Sequence, residues 1–400
     1  MDRRQSLHRL GRAAAGLAGS WLLPLPARTQ PASAALRLAL AWRGPDDGGQ
    51  LCDQAGVLRL DGDGQHLALE AAATLPGRAH GLLALADGGF VVCANRPGRW
   101  LARFDGHGRL QTLLALDAER PARTLNGHLE ADADGRWLFS TETDVRSGEG
   151  WISVRDAATL RRVAQWPSQG IDPHQLLLDA EGGLLVAHGG IARDAQGRKR
   201  AGEPLLASLQ RLDARNGREL GRWTLADAEL SIRHMAWGQA PDGGAGPWLG
   251  LALQAEHGQV QRRQDAPLLA LWDGRALLLP PGAAPAAVQG YAGDIAATPE
   301  GGFVLSGQKA GLGLWWRPLP AQPAQLSQPE GRWQRMAELQ ELCGLAQVPQ
   351  TVLPADSAWA GGVLLAAARG LAWWQAGQPA RAWPWPRPLV PDNHLVLLEG

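Results

Sequence analysis

Residues 79–95 read AHGLLALADGGFVVCAN. An apolar run opens at His80 and stops at the turn Asp87-Gly88-Gly89. A second run, Phe90 to Cys93, follows and ends at polar Asn95. Two short apolar runs joined by a glycine turn predict a β-hairpin, because glycine accepts the positive φ that such turns need. The pattern recurs with drift as HLEADADGRWLFSTE (128–142), HQLLLDAEGGLLVAHG (174–189) and DIAATPEGGFVLSGQ (294–308). It recurs with longer turns at 234–256 and 343–368. A repeat of about 40 to 60 residues holding four short strands predicts propeller blades.

Residues 36–75 supply three strands with no hairpin of this type, and the missing strand lies at the other end, where 391–400 read PDNHLVLLEG. Pairing of the two termini would complete one blade and close the ring, leaving no open sheet edge. The expectation is an all-β, seven-bladed propeller. Its innermost strands begin at His394, His80, His128, His174, His234, Asp294 and Cys343. Outer strands follow each hairpin, as at Trp100 to Phe104 and Leu209 to Leu212. The segment 191–207 and the Pro/Gln run 318–329 read as loops, and the tryptophans at 315, 316, 373, 374, 383 and 385 as packing between blades.

The 39 basic residues balance the 39 acidic ones, so no global field favours nucleic acid or an anionic membrane. Three cysteines, Cys52, Cys93 and Cys343, show no CxxC spacing, which leaves no zinc or disulfide framework, although one bridge from Cys52 stays open. The chain opens MDRRQSLHRLGRAAAGLAGSWLLPLPARTQPASAA. Arg3-Arg4, an Ala/Leu/Gly-rich run and Ala32-Ser33-Ala34 predict a twin-arginine signal peptide over 1–34, a single propeller over 35–400 and a periplasmic location. That route carries folded cargo, often already holding a cofactor. No transmembrane span is expected in the mature chain.

In a propeller the first strand of each blade lines the central channel, so one register position in every blade forms a ring. Five of the seven positions are His, out of only ten in the chain; Asp294 and Cys343 fill the others. The far ends of the second strands should reach the same mouth with Glu142, Asp144, His188, Glu256 and His257. The candidate ligand-binding set is therefore His80, His128, His174, His234, Asp294, His394, Glu142, Asp144, His188, Glu256 and His257. Imidazole suits zinc, copper, iron and nickel, and carboxylate adds hard oxygen. Within this set His128, His174, His234 and Glu142 are the candidate metal ligands, for a transition metal or a haem edge. A seven-bladed channel is expected to be too wide for every group to reach one ion. The bland reading is a ring that bonds only to neighbouring loops and channel water. Arg43 and Arg233 could pair with the carboxylates, which favours that reading or an anionic ligand. No GxSxG elbow, HExxH, P-loop or dinucleotide fingerprint is present.

RAHGLLAL, NGHLE followed by STETD, GIDPHQLLL, SIRHMAWG, LALQAEH, GYAGDIAAT and ELCGLA, in that order, resemble the bacterial domain of unknown function 1513 family. The resemblance covers nearly the whole mature chain. It implies an exported propeller of the broad YVTN-repeat and quinoprotein-like class, without an established activity. It also implies iron or haem handling beside imelysin-like and dihaem-cytochrome-like periplasmic proteins. One departure is SGQKAG after GYAGDIAAT, where relatives carry a Ser-Pro-Arg-Gly type sequence; an anion contact made by that arginine would fall to Lys309. The chain reads as a ligand-, metal- or partner-binding protein. The alternative is a metal-dependent enzyme of lactonase-like or quinoprotein-like type, its catalytic residues unassigned, working at the His/Glu mouth.

Overall fold

A computed structural model describes residues 35–194, 196–239, 247–319, 329–349, 357 and 359–398. The expected signal peptide, most of the Pro/Gln loop and the long turns of the fifth and seventh hairpins lie outside these residues.

The described residues form seven four-stranded antiparallel sheets. Blade 1 pairs the C-terminal strand Val390–Leu398 with Leu36–Pro45, followed by Leu51–Leu60 and Leu67–Thr74. Arg37 stands opposite Leu398 and Trp42 opposite Pro391, so the two ends of the chain close the ring as expected. Blades 2 to 7 follow in sequence, with inner strands Ala79–Ala84, Arg123–Ala131, Pro173–Leu178, Leu230–Gln239, Ile295–Ala297 and Gly344–Gln347. Within the described residues, no helix is long and apolar enough to cross a membrane.

The burial pattern explains why these runs become blades. Second strands such as Phe90–Ala94 and Gly183–His188 are buried on both faces. Outermost strands such as Leu67–Thr74 alternate half-buried and exposed. Middle strands are thus sandwiched by the neighbouring blades, while the rim faces water. The core is divided into wedges between adjacent blades. At the closing wedge Trp42, Trp359, Trp373 and Trp383 pack with Leu36, Leu38 and Leu40. The indole N–H of Trp383 donates to the Gly64 carbonyl at 2.9 Å, tying blade 7 to blade 1. Cys52, Cys93 and Cys343 are all free thiols, so no bridge starts at Cys52.

The inner strands carry one feature absent from the sequence pattern. In five blades the register with the second strand slips: between Ala79 and Leu82, Leu125 and Leu129, Pro173 and Leu176, Ile232 and Met235, and opposite residues 391–395. Each slip is a β-bulge, and each contains one of the five ring histidines. The inner strands at Ile295 and Gly344, which follow Asp294 and Cys343, pair without a slip. A bulge leaves a residue unpaired and re-aims its side chain.

Candidate metal centre

The five bulges turn the five imidazoles toward one another. His80 Nε2 lies 3.1 Å from His128 Nε2, His128 Nε2 3.3 Å from His234 Nε2, and His234 Nε2 3.1 Å from His174 Nε2. His394 completes the cluster, its ring centroid 4.9 Å from His80, 5.0 Å from His128 and 4.7 Å from His234. One ring nitrogen from each of His80, His128, His234 and His394 falls within 4.8 Å of all the others. As expected, the channel does not let every candidate group reach one point: of the eleven, these four histidines share the cluster.

Close packing of the backbone makes room for this. Gly127 holds φ of +105°, and a Cβ there would fall inside the His80 ring. A Cβ on Gly81 would strike the Gly127 carbonyl. Glycine at both positions lets inner strands 2 and 3 approach beside His80.

Hydrogen bonding alone does not satisfy this arrangement. An imidazole Nε2 has one in-plane valence, occupied by either a proton or a lone pair. Four such atoms can form at most two proper N–H···N bonds, yet they make three contacts in a chain. One ion shared by His80, His128 and His234 would satisfy two of the three with lone pairs. Two nitrogens about 2.0–2.1 Å from a common ion are about 2.9 Å apart at a right angle and about 3.4 Å apart at the tetrahedral angle. The observed 3.1–3.3 Å falls in that interval.

Protonation also suits ligation. Burial, reinforced by the neighbouring imidazoles and Arg96, holds His80 and His128 well below the usual imidazole range; burial with the same kind of neighbours does so for His174. Burial brings His234 down to about 3. All four are therefore neutral at pH 7, the form that binds metal.

His394 is oriented from outside. Its Nδ1 stands 3.3 Å from the Asp294 carboxylate, and its Nε2 is buried without a partner. Asp294 is fixed in turn by the backbone N–H groups of Ile295 and Leu345. An Nδ1–H directed at Asp294 would leave a lone pair on Nε2, the carboxylate–histidine arrangement that orients metal ligands. Asp294 thus stands behind His394. Cys343, at the seventh position, donates its thiol to backbone carbonyls, and burial pushes the thiol up to about 12. It contributes no thiolate.

The remaining expected residues lie elsewhere. Glu142 is a correction: it is fully buried inside blade 3, bonded to Arg155 at 2.6 Å, Ser140 at 2.9 Å and Ser153 at 2.7 Å. It sits on the second strand and spends its acceptors on that network, away from the histidines. Asp144 accepts from the N–H groups of Arg146 and Ser147 in the following turn. His188 bonds Ser168 at 2.9 Å and is brought to about 3 by burial. Glu256 pairs with Lys199. His257 bonds Asp227 at 2.9 Å and forms a separate group with Glu229, which Arg262 neutralises at 2.5 Å. Of the two arginines expected to pair with carboxylates, Arg43 meets Asp53 and Arg233 meets Asp172. Lys309 lies 4.0 Å from the Tyr291 ring.

Sequence reasoning missed the layer just before the histidines. Residues two positions upstream are Arg78, Asn126, Asp172 and Asp392, before His80, His128, His174 and His394. Asp172 binds Arg96 at 2.6 Å and Arg233 at 2.9 Å, and Arg193 approaches to 3.5 Å. Arg78 meets Asp392 at 2.8 Å. A polar residue two positions before four of the five histidines was a visible signal for this layer; before His234 that position is Ile232.

Comparison with known proteins agrees with this architecture. The sequence profile of the family described as "Protein of unknown function (DUF1513)" matches residues 73–398, and the chain belongs to that family. A search of curated protein sequences finds no match. Among solved structures, a candidate 6-phosphogluconolactonase from Bacteroides uniformis ATCC 8492 is similar with a TM-score of 0.55 and 12% identity, over 90% of this chain and 99% of that one. Hydrazine synthase of Kuenenia stuttgartiensis aligns at a TM-score of 0.47 and 12% identity, over 65% and 70% of the two chains. A virginiamycin B lyase from Staphylococcus aureus aligns at 0.48 and 9%, over 77% and 85%. At these identities the likeness concerns the fold alone.

Proposed function

We propose that this propeller is an exported protein that holds one first-row transition-metal ion on its axis, through His80, His128, His234 and His394. The observation that carries the reading is the pair of Nε2···Nε2 contacts from His128 to His80 at 3.1 Å and to His234 at 3.3 Å, both of which one shared ion satisfies and only one of which a proton can. An all-imidazole donor set suits copper, zinc, nickel and iron, and copper(II) leads in intrinsic affinity. The place of the protein would then be periplasmic metal handling, with iron acquisition beside imelysin-like or dihaem-cytochrome-like partners as one setting.

Holding the ion is favoured over hydrolysis. His80, His128, His174 and His234 are between 3 and 7% exposed. A groove of about 640 Å³ lined by Pro167, Leu206 and Leu225 includes none of the five histidines. A catalytic ion needs an open position facing a substrate cavity.

The test is elemental analysis of protein exported to a periplasm and purified without chelators, beside a His128→Ala/His234→Ala variant. The reading expects close to one ion per wild-type chain and none in the variant. A wild-type protein that carries no ion and takes up none on titration with copper, zinc or iron would end it.

A further inference from the structure

We propose that the mouth beside the histidines binds a small oxyanion, through Arg96, Arg193 and Arg233, as counter-ion and outer ligand of the metal. The inference rests on the reading of the histidines as a metal site. Three guanidinium groups converge on one carboxylate, Asp172, at 2.6, 3.5 and 2.9 Å. That leaves two positive charges uncompensated within the cluster. Asp194 is already paired with Arg198 at 2.7 Å, and Asp144, which accepts from its own turn, keeps its charge and offsets part of the excess at most.

The cluster is built rather than incidental. Arg233 is 2% exposed and Asp172 4%. The Nε of Arg233 is buried without a hydrogen-bond partner and leaves a charged donor unused, while the Nε of Arg193 faces Asp172 at 3.5 Å. Asp172 holds φ of +55°, and a Cβ on Gly189 would press on both Asp172 and Arg233. A constrained backbone at an over-determined charge cluster is the pattern of a ligand clamp.

Its position ties it to the histidines. Asp172 precedes His174 by two residues, and Arg233 immediately precedes His234. A metal dication beside these guanidinium groups would meet like-charge repulsion. An anion bridging metal and guanidinium groups removes it, and guanidinium offers the paired N–H donors that carboxylate, sulfate or phosphate oxygens accept.

The experiment is calorimetric titration of sulfate and, separately, acetate into apo and zinc-loaded protein, for wild type, Arg96→Gln and Arg96→Gln/Arg193→Gln. Melting temperatures confirm that the variants fold. Wild type is expected to bind at least one of the two anions, more tightly with zinc, and the double variant about tenfold more weakly or not at all. Zinc affinity in anion-free buffer should not fall in either variant. Preference for sulfate or for acetate distinguishes a tetrahedral from a planar ligand. Zinc uptake without binding of either anion, or binding unchanged in the double variant, overturns the proposal and leaves the metal reading intact. Failure of zinc to bind sinks the metal reading instead.

Discussion

Lowering the pH from 7.5 to 5.0 should strip most of the stability from the metal-free protein and little from the loaded one. His80, His128, His174, His188 and His234 are all held neutral by burial, with His188 and His234 at about 3. Their unfolded counterparts titrate near the ordinary value of about 6.5. The folded values lie below the unfolded ones, so the unfolded state binds more protons as the solution turns acid. This contribution is complete above about pH 6.5 and is lost as the pH falls. At pH 5.0 each histidine costs about 2 kcal/mol, and five cost about 10 kcal/mol. Glu130 works the other way: burial raises it to about 8, so acid relieves a penalty of about 3 kcal/mol. Asp392, also raised by burial, adds to that relief. The net loss of about 7 kcal/mol is comparable to the whole stability of an ordinary domain. Urea unfolding at the two pH values, with and without stoichiometric zinc, measures it. Bound metal competes for the imidazole lone pairs and should hold the loaded protein folded. A metal-free protein equally stable at both pH values would refute the claim that these histidines are buried and neutral.

Three further outcomes separate the ligands from their surroundings. Glu142→Ala should cost about 3–5 kcal/mol in urea unfolding, because fully buried Arg155 loses a partner at 2.6 Å, yet bound metal per chain should not change. Asp294→Asn should weaken zinc binding about 10- to 100-fold in competition with a chromophoric chelator, since His394 loses its orienting carboxylate. Gly127→Ala should lower both stability and zinc affinity, since it places a methyl group in the His80 ring at a backbone φ of +105°.

The ring architecture was legible because it is written in local patterns. Alternating runs, glycine turns at Gly88, Gly135 and Gly182, and a C-terminal HLVLL segment matching the His80 strand are all read along the chain. The shared register of five histidines was legible for the same reason. Which of them meet was not. A bulge is a property of pairing between two strands, and nothing within GIDPHQLLL states where Pro173 and Leu176 meet His188 and Val186. Without the bulges the imidazoles stand around a wide channel; with them they meet. Glu142 was misplaced through a related gap. Its charge suggested a solvated mouth, but its partner Arg155 comes from the next strand and turns the pair into blade core. The same holds for Asp172, whose three arginines arrive from three different segments of the chain.

X-ray absorption of the protein loaded with one equivalent of zinc or copper tests the central claim most directly. The account predicts four nitrogen scatterers at about 2.0–2.1 Å with the outer-shell signature of imidazole, reduced in His234→Ala. A shell dominated by oxygen, or an ion that distributes over several weak sites and leaves the spectrum of His234→Ala unchanged, would contradict it.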